Sequence, residues 1–264
     1  MKILSLVENT TNCDLQVQHG LSLYIETYNH KILFDLGQED TLFINASKRN
    51  INLTAIDTVI ISHGHKDHGG ALKDFLTINT QAKVYIQAKS FEPHYSIASG
   101  TKSFIGLDSS LIHHPQVILL NGNYQIDENL SLFTVTDTHR CHSIANDVLL
   151  NENGKDDFIH EQNLIIKDTY NVLIMGCGHT GIVNILEQAK TYNPKVCIGG
   201  FHLMIPRTQQ TIPTQILDQI ANYLQGYPNT QFYTCHCTGK EAYNYLASKL
   251  PNLHYFACGD HLEI

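Results

Sequence analysis

A chain of 264 residues, 42% apolar and 16% charged, is long enough to bury a sizeable core. Its formal net charge of −8, with no run of lysine or arginine, argues against a nucleic-acid partner held on a basic face. The opening MKILSLVENTTNC has too short an apolar run for an export signal, and no stretch of about 18 apolar residues follows. The expectation is a soluble, cytoplasmic chain with no membrane partner, and its seven cysteines, an odd number, predict no disulfide framework.

In chain order, KILSLV (2–7) reads as a strand and LSLYIETYNHKILFDLG (21–37) as a hairpin turning near Asn29 and His30. DTLFINASKRN (40–50) has helical spacing. The strand at 57–62 is short, rich in β-branched residues and ended by Ser-His-Gly; a helix from Ala71 to Leu76 and a strand at 83–88 follow. Residues 89–129 show no assignable pattern, and a connection that long is expected to be functional or to hold hidden structure. A strand at 130–136 precedes the polar NENGKDDFIHEQ (151–162), which reads as an exposed turn. NLIIK and YNVLIMG form a hairpin closed at Asp168 and Thr169. Helices at 182–192, 214–225 and 240–250 then alternate with strands at 195–200, 230–235 and 253–259. Hairpins in front and alternation behind predict an α/β fold, sheets with helices packed outside, in one domain spanning 1–264 with a long irregular insertion at about 89–129.

The chemistry concentrates at strand ends. In TVIISHGHKDHGGAL (58–72) an apolar strand runs into His63, His65, Asp67 and His68, the residue types that bind Zn²⁺ and similar ions. Alternation lets His63 and His65 face one way while Asp67 and His68 serve a neighbouring position, enough for two half-sites. Three later segments repeat the pattern of apolar strand, polar turn and helix. VLIMGCGHTGIVNIL (172–186) offers Cys177 and His179, and QFYTCHCTGKEA (231–242) offers His236. In that second segment Cys235 and Cys237 are expected to pack away from His236. VCIGGFHLMIP (196–206) offers His202, as a proton donor or substrate contact rather than a ligand. His139 and His142 in TDTHRCHS rank below these. Asp35 in ILFDLG is placed to orient a ligand histidine through its second ring nitrogen, or simply to make a turn. Lys102 is either a substrate-anion contact or a solvated side chain.

SHGHKDHGG is similar to the His-x-His-x-Asp-His signature of the metallo-β-lactamase superfamily, with ILFDLG and IDTVIIS resembling its lead-in. The resemblance implies an αββα sandwich, two mixed β-sheets flanked by helices, with metals at one edge. LIMGCGHTG, GGFHL and CHCTG resemble one branch, named for 7,8-dihydropterin-6-methyl-4-(β-D-ribofuranosyl)aminobenzene-5′-phosphate synthases. Carried over by position, His63, His65, Asp67, His68, His179 and His236 form the metal shell, and Cys177 stands where most members carry a bridging aspartate. The expected activity is a metal-dependent hydrolase of a phosphoester or related small ester, using a metal-bound hydroxide on one or two ions, zinc first and manganese or iron as alternatives. Asp67 is the alternative general base, and His202 the group that polarises the substrate or protonates the leaving group. The alternatives are a pterin-type synthase displacing pyrophosphate, or a metal-containing sensor with little turnover. The expected partner is a small molecule, with phosphorylated metabolites among the candidates.

Overall fold

Alternation along the strands sorts the apolar side chains into three cores. Leu33 and Val59 face helices of the first half, while Ile32, Phe34 and Ile60 face the opposite way. In the second half Ile165, Leu173 and Cys197 face one side, and Leu164, Ile166, Val172, Ile174 and Ile198 the other. The shared middle core joins two sheets face to face, and each outer core joins one sheet to helices. The computed structural model, which describes all 264 residues, is therefore an αββα sandwich of two mixed sheets.

The first sheet has seven strands in the order His261–Glu263, Lys2–Val7, Ser22–Glu26, Lys31–Phe34, Thr58–Ile60, Lys83–Gln87 and Val117–Leu120. The second also has seven, in the order Leu253–Tyr255, Gln231–Thr234, Val196–Gly199, Asn171–Ile174, Asn163–Lys167, Leu130–Phe133 and Tyr124–Gln125. Pairing is antiparallel within the hairpins and parallel where helices intervene, for example Ile32 opposite Thr58 and Val172 opposite Val196. The helix Thr214–Leu224 shows how the outer layer forms: Leu217, Ile220, Ala221 and Leu224 recur on one face and are all buried.

Three expectations need correction. Residues 89–129 are not simply irregular: Val117–Leu120 is an edge strand, parallel to Lys83–Gln87. Tyr95–Ser96 and Ser103–Phe104 join Leu149–Asn151 and Gly154–Lys155 in a small four-stranded flap. The segment 151–162 is not an exposed turn throughout, because Phe158, His160, Glu161 and Gln162 are buried. Gln162 shows why, since its amide nitrogen donates to the carbonyls of Ile61 (2.8 Å) and Tyr85 (3.0 Å); polar residues are readily buried where each polar atom finds a partner. The strand expected at 253–259 ends at Tyr255, and a further strand, His261–Glu263, pairs with the first strand. No helix is long and apolar enough to cross a membrane.

Candidate metal centre

Strand ends converge at one edge of the sandwich. Glu8 follows Lys2–Val7, Asp35 follows Lys31–Phe34, and the His63–His68 loop follows Thr58–Ile60. From the second sheet come Cys177 and His179 after Asn171–Ile174, His202 after Val196–Gly199, and His236 after Gln231–Thr234. Ligand sites in sheets of this kind lie at the carboxyl ends of parallel strands. Asp35, His202 and His236 take left-handed backbone conformations, with φ of 59°, 48° and 50°. Three non-glycine residues in that region, one after each strand, mark turns that aim side chains at a site.

The hydrogen bonds fix the proton on each ring. Ser62 Oγ donates to Asp35 Oδ2 (2.7 Å), so at 2.8 Å it accepts from His63 Nδ1. Asn146 Nδ2 donates to the His179 carbonyl (2.8 Å), which turns Asn146 Oδ1 toward His179 Nδ1 at 3.1 Å. Asn9 Oδ1 accepts from His236 Nδ1 at 2.8 Å, and Asp35 Oδ2 from His68 Nδ1 at 2.7 Å. These assignments follow from the partners, and each leaves Nε2 pointing inward. His63 Nε2 and His179 Nε2 then face each other at 3.3 Å with two lone pairs and no proton between them. Two nitrogens 2.0–2.1 Å from a tetrahedral zinc stand about 3.3 Å apart. His65 completes this group of three, and its Nε2 is buried without a partner.

A second group lies alongside. His68 Nε2 is 3.1 Å from Cys177 Sγ, and Asp67 Oδ2 is 3.3 Å from His236 Nε2 and 3.6 Å from His68 Nε2. His236 Nε2 is close to that carboxylate yet not aligned to hydrogen-bond, as a shared ligand position requires. Cys177 falls within donor range of both groups, near His63 and His179 of the first and His68 and His236 of the second.

Electrostatics agree. Burial first, and the neighbouring rings second, hold His63, His65 and His179 well below the usual imidazole range, so their lone pairs are free. Burial works against a charge on His68, but Asp35 and Asp67 outweigh it and push the ring up to about 9. Burial also opposes ionisation of Asp67, yet His68, His236 and His19 hold its carboxyl well below the usual range. Burial, then the Cys237 sulfur, push the Cys177 thiol up. Glu8, Asp35, Asp156 and Glu161 are all buried, and no lysine or arginine is buried with them. The donor set, the facing lone pairs and the excess of buried acids over buried lysine and arginine fit divalent cations.

His63, His65, Asp67, His68, Cys177, His179 and His236 thus come together. His202 joins them, its ring 4.1 Å from that of His179 and both its nitrogens buried without partners. Asp35 meets both readings of its position, since it accepts from His68 Nδ1 at 2.7 Å and turns the chain with a φ of 59°. His139 and His142 do not join: they are exposed and pair with Asp137 and Asp147. Lys102 lies over the Tyr95 ring at 3.9 Å. Cys235 packs between the sheets, but Cys237 corrects the expectation and groups with Cys177 and His236. The chain leaves the strand after Thr234 for one turn at His236–Thr238, so strand alternation no longer governs it.

Several residues give no local signal. His19 Nε2 lies 3.3 Å from Asp67 Oδ2. Glu161 accepts from the backbone N–H groups of His179 (2.7 Å) and Thr180 (2.8 Å), and Glu8 from that of His236 (2.6 Å). A buried carboxylate therefore fixes each of these ligand-bearing turns from behind.

A family model described as the metallo-beta-lactamase superfamily matches residues 16–152, more than half of the chain. The chain belongs to the metallo-beta-lactamase superfamily. Among solved structures of this superfamily fold, Tm1679, described as a metal-dependent hydrolase of the beta-lactamase superfamily, is 26% identical. The match covers 100% of this chain and 99% of that one, with a TM-score of 0.83. Two proteins of Methanocaldococcus jannaschii are also similar. One, uncharacterised, is 29% identical over 96% of this chain and 95% of its own. The other, a 7,8-dihydropterin-6-methyl-4-(beta-D-ribofuranosyl)-aminobenzene-5'-phosphate synthase, is 26% identical over 92% of this chain and 90% of its own. This superfamily fold and these donor clusters are those of a metal-dependent hydrolase.

Proposed function

We propose that the protein hydrolyses a phosphoester on a small molecule, with two divalent ions, zinc first, held at the strand-end cluster. The observation that carries this reading is the pair of inward lone pairs on His63 and His179, 3.3 Å apart, beside the second group around Asp67. His63, His65 and His179 would hold one ion, Asp67, His68 and His236 the other, and Cys177 would stand between them. When bound, such ions supply Lewis-acid polarisation and make a water acidic enough to ionise near neutral pH.

The chain's own groups do the rest. Asp67 stays ionised through the neutral range and either ligates an ion or takes the proton of the attacking water. His202 presents two unpartnered nitrogens beside His179 and serves as proton donor to the leaving oxygen. The cavity over the cluster has a volume of about 230 Å³, walled by Ala98, Ile105, Ala145 and Leu149. Lys66 and Arg207 line it and complement an anionic group.

The test is turnover by zinc-, manganese- or iron-loaded protein on p-nitrophenyl phosphate, bis(p-nitrophenyl) phosphate and p-nitrophenyl acetate. Phosphoester hydrolysis is expected, falling by roughly 10²–10⁴ in His65→Ala. Hydrolysis of the carboxylic ester alone would overturn the phosphoester reading. A second reading, a synthase joining an amine to a pterin-type substrate, draws on the similarity to the archaeal synthase. An amine adduct appearing when aryl amines compete with water would favour it.

A further inference from the structure

A cluster of buried groups sits behind the metal centre, and the proposed chemistry does not use it. His94, Asp156 and His160 are buried, and with His65 their donor atoms all lie within 4.8 Å of one another. Proximity alone would admit an ion here, but the hydrogen bonds argue otherwise. The Gly64 N–H donates to His160 Nδ1 at 3.0 Å, so that nitrogen carries the lone pair and Nε2 carries the proton. Nε2 points its proton at Asp156 Oδ2, 3.3 Å away, so the ring's lone pair is spent on the Gly64 N–H and its proton on a carboxylate. Asp156 Oδ2 also meets His94 Nδ1 at 2.9 Å, and its Oδ1 accepts from the Phe158 N–H at 2.9 Å. Both carboxylate oxygens are committed.

Both rings close on one residue. His160 holds the Gly64 N–H, and the His94 ring covers the other approach: a Cβ on Gly64 would lie 2.6 Å from His94 Nε2 and 2.6 Å from the Ser90 carbonyl. Gly64 separates His63 from His65, so its placement sets how those two rings diverge. We infer that His94, Asp156 and His160 form a clamp on Gly64 that fixes the His63–His65 pair, which makes Asp156 and His160 positioning residues for the metal centre. The clamp reaches Gly64 from the segment 154–162 and from the 88–94 turn, so it also ties the flap to the ligand loop.

The experiment is zinc affinity by competition with a chelating dye, with the cobalt(II) spectrum and thermal unfolding measured alongside. Asp156→Asn and His160→Ala should each weaken one ion by about 10- to 100-fold, alter the cobalt spectrum and still fill completely at saturating zinc. His160→Asn keeps an acceptor near the Nδ1 position and should recover part of that affinity, which loss of packing alone would not explain. Unchanged affinity in both weakened variants would overturn the inference. So would loss of a whole equivalent of zinc at saturation, since the cluster would then be an ion site. Should Asp156→Asn fail to fold, the His160 pair decides. The inference rests on the metal-centre reading and not on the substrate. Protein that binds zinc but cleaves no phosphoester loses only the proposed reaction, whereas wild type that binds no zinc overturns both.

Discussion

At the scale of single residues, the centre is built by anchoring rings from the rear. His63 gives Nδ1 to its neighbour Ser62, and His68, His179 and His236 give theirs to acceptors on other segments, Asp35, Asn146 and Asn9. That fixes ring direction before any ion arrives, and loss of such an outer partner typically costs about 10- to 100-fold in metal affinity. Cys177 differs, because burial favours the thiol and only a cation beside it would hold the thiolate. Cobalt-loaded wild type is expected to show sulfur-to-metal charge-transfer absorption that is absent in Cys177→Ala and kept in Cys237→Ser. A band that survives Cys177→Ala would make Cys177 a packing residue. The ligand loop was legible because its four donors lie within six residues after an apolar strand. Glu8 and Glu161 were not, because their partners His236 and His179 lie 228 and 18 positions away.

At the scale of elements, the hairpin Ser22–Phe34 is tied across the sandwich by His30. The ring bridges Asp57 Oδ1 at 2.9 Å, before the next strand, and Asp127 Oδ2 at 2.7 Å, in the turn entering Leu130–Phe133 of the other sheet. Burial disfavours the charged ring, but the bonds to Asp57 and Asp127 outweigh it and raise its pKa above the ordinary value. A raised folded-state value contributes stability that is fully present below the unfolded value, about 6.5, and is lost as pH rises through the folded value. Urea unfolding should therefore show His30→Gln destabilised more at about pH 6 than at about pH 9. An equal loss at both pH values would mean that the bridge is uncharged. The helix Thr214–Leu224 matched the expected 214–225 to within a residue, while Ile182–Ala189 and Lys240–Ala247 end three residues short of the expected 192 and 250. Val117–Leu120 did not stand out, because a four-residue apolar run inside a Pro-, Gly- and Ser-rich stretch carries no period.

At the scale of the whole molecule, the sandwich buries its acids where no lysine or arginine of the chain is buried with them. Buried Glu8, Asp35, Asp156 and Glu161 surround the centre without a buried lysine or arginine. Composition could not reveal this, since a net charge of −8 says nothing of where the charges lie. Nor could the polarity of 151–162, which reads as solvent-facing until its partners are known. Sheets with helices packed outside were legible because strand alternation and helix periodicity are local, and the αββα order followed from the resemblance carried by SHGHKDHGG, whereas the back of the site is assembled from segments that meet only after folding. The central claim is that this edge holds two divalent ions. The most direct test is the zinc-to-protein ratio after saturation and exhaustive dialysis, for wild type and His65→Ala. Two ions per chain falling to one in the variant is the expected result. No bound zinc in wild type, or a ratio unchanged by His65→Ala, would contradict it.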